Sequence, residues 1–171
     1  HSISRLVFVA ALVVLFDPLN ANAENTTRVR VTLTETDANG NVIRVPGLIR
    51  CTDGDGSVID IPELLNRGTG LSLAGDASER EIHSWFVLPH SSMITLPRQE
   101  ITIEAFSGIE TELTSKTVDL TETLNTEITL SLTRIHDSKV HGQRTANTHL
   151  HIMKLSREEC DRYLTEIPAA D

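Results

Sequence analysis

The sequence predicts an all-β fold, an antiparallel β-sandwich, over residues 24–135. Short segments in this range alternate polar and apolar residues with a period of two, as strands with one buried face do. Turn sequences rich in Asn, Asp and Gly separate these segments at regular intervals, and no segment shows a convincing helical period. Together these observations indicate a two-layer sandwich of short strands.

The first predicted strand shows the clearest alternation. In Arg28–Thr34 the apolar side chains fall at every second position, so that all of them lie on one face of an extended strand. A turn is predicted at Asp37–Asn41, where the Asn-Gly pair suits positive φ, and Gly47–Thr52 is the predicted returning strand. Asp53–Gly56 is predicted as a second tight turn before the segment Ser57–Ile61.

The remaining predicted strands bring the total to about seven, which is typical of a prealbumin-like or immunoglobulin-like sandwich. Aromatic residues make up only 4% of the chain, so we expect Trp85, Phe86 and Phe106 to lie in the core. Stacking of Trp85 on a ligand is the alternative. The further strand segments are Ile82–Leu88, Met93–Leu96, Glu100–Phe106, Thr117–Leu120 and Glu127–Leu132.

The N-terminal segment has the pattern of a secretory signal. Arg5 precedes an uninterrupted apolar run, Leu6–Phe16, and Ala21–Ala23 follows as a cleavage site of small residues. The run is shorter than the ~20 residues that a membrane-spanning helix needs. We therefore predict a signal peptide over residues 1–23 and a secreted or periplasmic mature chain without an integral membrane segment; an uncleaved anchor is the alternative.

The charge balance limits the classes of partner. The chain has 15 Lys and Arg against 24 Asp and Glu, a formal net charge of −9. Nucleic acids and anionic membranes require a clustered basic surface, so neither is an expected partner. A small-molecule or polymer substrate of unknown identity remains open.

The two cysteines fall in segments that we assign to different domains. Cys51 lies in a predicted sandwich strand and Cys160 in a predicted helix near the C-terminal end of the sequence. An exported protein can form disulfides, but a single pair so far apart in sequence does not imply one. We predict two separate buried thiols, with a disulfide as the alternative.

The pattern changes after residue 135. Residues 136–145 are polar and turn-like and are predicted to be a linker, and Arg144–Ile152 has the pattern of a new strand. Ser156 and Glu159 then form a capping box, the signature of a helix start. A strand followed by a helix predicts the first βα unit of a truncated α/β, barrel-type domain over residues 146–171. Cys160, Leu164 and Ile167 recur at helical spacing, and Pro168 is predicted to end the helix.

His149 and His151 are the candidate metal ligands. At positions i and i+2 of a strand, both imidazoles point to the same side and can converge on one ion, at about 2.0–2.1 Å for zinc. The alternative is that both are ordinary surface residues. A catalytic centre needs at least one further protein ligand, which the sequence does not identify, so the catalytic residues stay unknown. The other histidines are expected to be solvent-facing or hydrogen-bonded locally: His83, His90, His136 and His141.

The Asp53–Gly56 segment also resembles the opening of a calcium-binding loop. The residues that follow it, Ser57 and Val58, do not fit the EF-hand pattern, and no Glu closes the loop at its last position. A hairpin turn is therefore the preferred interpretation.

Several of these segments together resemble a known family. The stretches LPRQEITIEAFSGIE (Leu96–Glu110), LTRI (Leu132–Ile135) and ANTHLHIMKLSREECDRYL (Ala146–Leu164) resemble bacterial exported proteins in which a carboxypeptidase-regulatory-like or transthyretin-like sandwich precedes a PHP-type (CehA/McbA-like) metallohydrolase domain. In that family the stretch after the linker reads roughly Gly-Asp-x-His-x-His, and its histidines bind the metal. His149 and His151 match these two ligands, whereas Ala146 and Asn147 stand where the family has Gly and Asp.

The resemblance implies the N-terminal part of an exported metal-dependent hydrolase. Such an enzyme would use zinc or manganese in its full-length form to activate water against phosphoesters, esters or amides. The fragment itself is expected to be inactive, with the sandwich as an accessory or docking module. The alternative is a free-standing extracytoplasmic binding or adhesion sandwich without catalysis.

Overall fold

The computed structural model describes residues 25–70, 81–122, 126–138, 140, 142 and 155–171. In this part of the chain two β-sheets pack face to face and an α-helix lies against the outside of one of them, so the predicted β-sandwich is confirmed. The predicted signal peptide lies outside the described residues. The elements are β1 (Thr26–Thr36), β2 (Val42–Arg44), β3 (Gly47–Thr52), β4 (Leu65–Asn66), β5 (Phe86–Leu88), β6 (Ser91–Pro97), β7 (Glu100–Phe106), β8 (Thr114–Asp119), β9 (Thr126–Ser131) and α1 (Arg157–Ala170).

The first sheet is built around β1. Strands β2 and β6 pair with it antiparallel, whereas β9 pairs with it in parallel, with Leu33 opposite Leu130 and Thr34 opposite Ser131. Both β6 and β9 pair with the same residues of β1, Val29–Thr32, so they lie on its two sides. The parallel pair departs from the purely antiparallel prediction, because alternation defines the buried face of a strand and not the direction of its neighbour.

The second sheet has the strand order β4-β5-β3-β7-β8, and all of its pairings are antiparallel. Strands β8 and β9 bring the two sheets together along one side. There the Lys116 ammonium donates to the Thr129 carbonyl at 3.4 Å, and the Thr114 hydroxyl donates to the Ser131 carbonyl at 3.5 Å. These side-chain contacts link neighbouring edge strands of the two layers.

Two turns of the same construction connect strands at the sandwich surface. In each, an aspartate carboxylate accepts hydrogen bonds of 2.8–3.0 Å from the backbone N–H groups two and four residues further on. A glycine three residues after the aspartate takes positive φ, which is 85° at Gly40 after Asp37 and 78° at Gly56 after Asp53. The Asp53 carboxylate thus caps its own turn, and the hairpin interpretation of this segment is confirmed.

The main core lies between the two sheets and follows the alternation of the sequence. Val29, Val31 and Leu33 of β1 are fully buried there. Phe86 belongs to this core as predicted, but Trp85 and Phe106 do not. Both pack on the outer face of the second sheet, since Trp85 immediately precedes Phe86 and successive residues of a strand point to opposite faces.

Helix α1 covers that outer face. Tyr163, Ile167 and Ala170 are buried against Leu48 of β3, Leu65 of β4 and Val87 of β5, and form a second apolar cluster. The predicted capping box is confirmed: Glu159 N donates to the Ser156 hydroxyl at 3.3 Å, and Ser156 N donates to the Glu159 carboxylate at 2.7 Å.

The buried stripe of α1 differs from the predicted one. Of the three predicted apolar positions only Ile167 is buried, while Leu164 is 43% exposed and Cys160 is partly buried. The reason is that Tyr163, four residues before Ile167, and Ala170, three residues after it, complete the contact face. Pro168 lies inside the helix, which continues to Ala170, so the predicted stop is wrong by two residues. The strand predicted to precede this helix lies outside the described residues.

Candidate functional site

The residues singled out from the sequence for metal chemistry are outside the part of the chain that the structure describes. This holds for His149, His151 and also His141. Within the described ranges, no three His, Cys, Asp or Glu side chains are grouped closely enough to hold a metal ion. The candidate surfaces therefore come from other residues.

The end of the sandwich where β1 and β9 finish is one such surface. Glu35 continues the inward-facing series of β1, and its side chain is only 6% exposed. A buried carboxylate requires a partner, and Arg134 provides it through three hydrogen bonds of 2.8–3.0 Å from Nε and Nη2. The sequence signal for this pair is an acidic residue at an apolar position of an alternating strand.

Arg134 also joins the loop after β7 to this end. Its Nη1 donates to the Glu110 carboxylate at 2.6 Å, and the Ser138 N–H donates to the other carboxylate oxygen at 3.1 Å. Hydrogen bonding from Ser138, together with the attraction of Arg134 and His136, lowers the pKa of Glu110 below its ordinary value. The carboxylate is therefore ionised at neutral pH, and one guanidinium holds three chain segments together.

An open groove of about 540 Å³ borders this ion network. It runs between the β1–β2 hairpin and the segment that follows β9. Its lining combines carboxylates with aliphatic side chains, and His136 contributes to it. We call this region the end groove: Glu35, Asp37, Ile43, Arg134, Ile135, Asp137 and Val140.

The outer face of the second sheet holds a second polar and aromatic group beside α1. The Trp85 ring meets Phe106 edge-on with centroids 4.9 Å apart, and the Arg50 guanidinium lies 4.7 Å from the Trp85 centroid. Arg50 is held there by Glu104 of the neighbouring strand, at 2.6 Å. Arg50 covers one face of the indole and Phe106 meets the ring edge-on, so Trp85 takes part in the packing of the outer face of the second sheet.

The end of α1 is fixed to the sandwich by an ion pair. Arg67, just after β4, donates to both carboxylate oxygens of Asp171 at 2.6 and 3.1 Å. The backbone N–H of Gly108, in the loop after β7, donates to the Ala170 carbonyl at 3.0 Å. The helix is thus anchored by its apolar face and by its C-terminal end.

The histidines of the described residues differ from one another. His90 and His136 are exposed, as expected. His83 departs from its expectation of being solvent-facing or locally hydrogen-bonded, because its Nε2 is buried and has no hydrogen-bond partner in the described part of the structure. Its ring packs on Gly68, where an added Cβ would overlap the imidazole and displace it.

The two thiols are separate, as predicted. Cys51 lies in the main core, and burial raises its pKa to about 12, so its thiol is neutral and unreactive in the folded protein. Cys160 is only partly buried on α1, and in this respect the prediction of two buried thiols is wrong.

Comparison with known proteins gives little beyond the fold. No family model matches the sequence, and no curated protein matches it. Among solved structures, the chain is similar to GBS52, the minor pilin of the Gram-positive pathogen Streptococcus agalactiae, at 9% identity and a TM-score of 0.40. The match covers 73% of this chain and 49% of that protein, so the chain spans about half its length. Similarity at this level transfers neither partners nor activity. In the described ranges, none of the helices combines the length and apolar character needed to cross a bilayer.

Proposed function

We propose that this chain is an extracytoplasmic β-sandwich binding module, with α1 as an integral part of the module and without catalysis of its own. The observation that carries this proposal is the burial of the apolar face of α1 on the second sheet. The predicted export signal supports a location outside the cytoplasm.

The helix face is the point on which the two functional hypotheses differ. In a βα unit the helix packs its apolar side on the parallel sheet of its own domain. Here Tyr163, Ile167 and Ala170 are already buried against sandwich residues, and the Arg67–Asp171 ion pair reinforces the contact. Leu164 is the large apolar side chain of the helix that stays exposed. A single exposed leucine is not enough to pack the helix on a second sheet. The packing therefore favours a sandwich that includes the helix.

A charge placed on the buried face tests this assignment. We expect Ile167→Asp to release α1, shift Trp85 emission to longer wavelength and lower the Tm of the sheet by about 5–10 °C, as a loss of a few kcal/mol does in a small domain. Leu164→Asp is the matched control, since the same change on the exposed face should leave both signals in place. If Ile167→Asp behaves like its control, the helix does not belong to the sandwich and the proposal fails.

The second candidate function is the N-terminal part of an exported metal-dependent hydrolase. The spacing of His149 and His151 and the family resemblance support it, with zinc or manganese as the metal. When bound, such a metal activates a water molecule for attack on an ester or amide. The two histidines would supply part of the ligand set, together with groups encoded further along the full-length protein.

Metal titration separates this candidate from the binding module. Isothermal titration of the full-length protein with zinc, then manganese, should show saturable binding that the His149→Ala/His151→Ala variant loses if the pair is a ligand site. His90→Ala is the control, because His90 is exposed on the sandwich. Equal heats for all three proteins would remove the support for the hydrolase candidate.

A further inference from the structure

Exposed aliphatic side chains line the end groove. Eight large apolar residues are exposed in the described part of the chain, and three of them, Ile43, Ile135 and Val140, line this groove. Ile43 is 42% exposed, Ile135 61% and Val140 73%. Single exposed apolar residues are ordinary, but a group of them in one groove marks an interaction site.

The topology explains why these residues meet. Because β1 and β9 run in parallel, with Thr34 beside Ser131, the segments that follow both strands emerge at the same end. The bridge between Thr111 and Arg134 joins the loop after β7 to the same end. Arg134 links these segments through its ion pairs with Glu35 and Glu110.

The charge of the groove points to the kind of partner. Its lining holds the carboxylates of Glu35, Asp37 and Asp137 against the guanidinium of Arg134. Hydrogen bonds from Asn41, and less strongly from Asn39, lower the pKa of Asp37, so that carboxylate is ionised at neutral pH. Glu35 is neutralised by Arg134, and the net balance of the lining is acidic, as is the whole chain at −9. A complementary partner is cationic.

The backbone beside the groove has the form that accepts an extended segment. Strand β2 has three residues, all exposed, and among the described strands it pairs only with β1. An edge strand of this kind can add a peptide through main-chain hydrogen bonds, while alternate side chains of the peptide select the partner.

We propose that the end groove binds an extended peptide segment of a partner protein in which basic residues alternate with aliphatic ones. The aliphatic side chains contact Ile43, Ile135 and Val140, and the basic side chains approach Asp37 and Asp137. This inference rests on the proposed function as a binding module and adds the partner class to it.

The test uses synthetic peptides with the full chain. A fluorescein-labelled peptide of alternating Lys and Val should bind saturably in fluorescence anisotropy, and added NaCl should weaken the binding because the contacts are partly electrostatic. Peptides of alternating Glu and Val, or of alternating Lys and Ser, should bind at least about tenfold more weakly, which corresponds to about 1.4 kcal/mol of binding free energy.

Paired variants identify the surface. Ile135→Ser/Val140→Ser and Asp137→Asn should each weaken the Lys-Val peptide by about tenfold or more. The matched controls are Leu164→Ser and Glu63→Gln, which change an exposed aliphatic and an exposed acidic residue elsewhere. Unchanged affinity in the groove variants, or equal binding of the Glu-Val peptide, would overturn the proposed partner class.

Two further outcomes are distinguishable. If no peptide binds, and sedimentation shows a dimer that the Ile135→Ser/Val140→Ser variant dissociates, a second copy of the chain occupies the groove and the peptide proposal is wrong. Absence of both peptide binding and dimer also overturns it. Neither outcome affects the Ile167→Asp measurement, which tests the module assignment separately.

Discussion

The molecule has two apolar clusters that differ in how they are closed. The cluster between the sheets contains nineteen buried residues and is enclosed on both faces by strands. The cluster on the outer face of the second sheet contains six, and it is covered by α1. Strand pairing fixes the first in place through backbone hydrogen bonds. The second depends on side-chain packing and on the Arg67–Asp171 ion pair, so we expect it to open first.

The largest expected effect is a cavity in the cluster between the sheets. Leu33→Ala removes a fully buried side chain of the central strand β1, and should lower the free energy of unfolding by about 3–5 kcal/mol. Val42→Ala is the control, because that side chain is 72% exposed and should change stability by less than about 0.5 kcal/mol. Urea unfolding followed by far-ultraviolet circular dichroism measures both. Similar values for the two variants would contradict the assignment of this cluster as the dominant core.

A smaller loss of stability is expected when the ion pair between Glu35 and Arg134, at the end of that core, is broken. Arg134→Met leaves the Glu35 carboxylate buried without its guanidinium, and should lower the free energy of unfolding by about 2–3 kcal/mol. The double variant Glu35→Leu/Arg134→Met removes the buried charge as well and should recover most of the loss. Thermal unfolding of the two variants beside the parent checks this. A double variant no more stable than Arg134→Met would show that the charge is not the cause.

Loss of the N-terminal cap of α1 should lower stability by about 1 kcal/mol, and we expect this loss to be confined to the cluster that α1 covers. Ser156→Ala removes the side-chain acceptor of the Glu159 N–H and weakens the helix start. We expect faster hydrogen exchange in α1 and unchanged exchange in β1 and β9. Thr165→Ala, a mid-helix change at an exposed position, is the control. Faster exchange throughout the first sheet would mean that the two clusters open together.

The smallest expected effect is a loss of stability in acid, through the carboxylates of Glu110 and Glu159. Hydrogen bonds from Ser138 lower the pKa of Glu110, and hydrogen bonds from Ser156 lower the pKa of Glu159. A carboxyl whose pKa is lowered by folding contributes stability above its unfolded value, here 4.5, and loses it as the pH falls below that value. The Tm should therefore be constant from neutral pH to about 5 and decrease below it. In Glu110→Gln the decrease should be shallower; an identical slope would contradict this contribution.

Local features of the chain were predictable because they depend on neighbouring residues. The capping box at Ser156, the Asp53 turn and the inward series of β1 all follow from residues a few positions apart. The buried ion pair of Glu35 with Arg134 was not predicted, since ninety-nine positions separate its members. The period-two pattern of β1 predicts that Glu35 faces inward, but no neighbouring residue indicates that Arg134 is its ion-pair partner.

The sequence alone predicted most of the longer strands, the turns at Asp37 and Asp53 and the start of the C-terminal helix. It did not predict the short strands β2 and β4, and of the strand predicted at Ile82–Leu88 only Phe86–Leu88 is strand. The features that were predicted follow from side-chain period, glycine at positive φ and hydrogen bonding within one turn, all of which act over a few residues. The tertiary structure decided that β9 lies parallel to β1, that Trp85 and Phe106 pack outside the sandwich, and that α1 covers them. Those outcomes depend on which distant surfaces bury the most apolar area together, and this is a property of the folded chain as a whole.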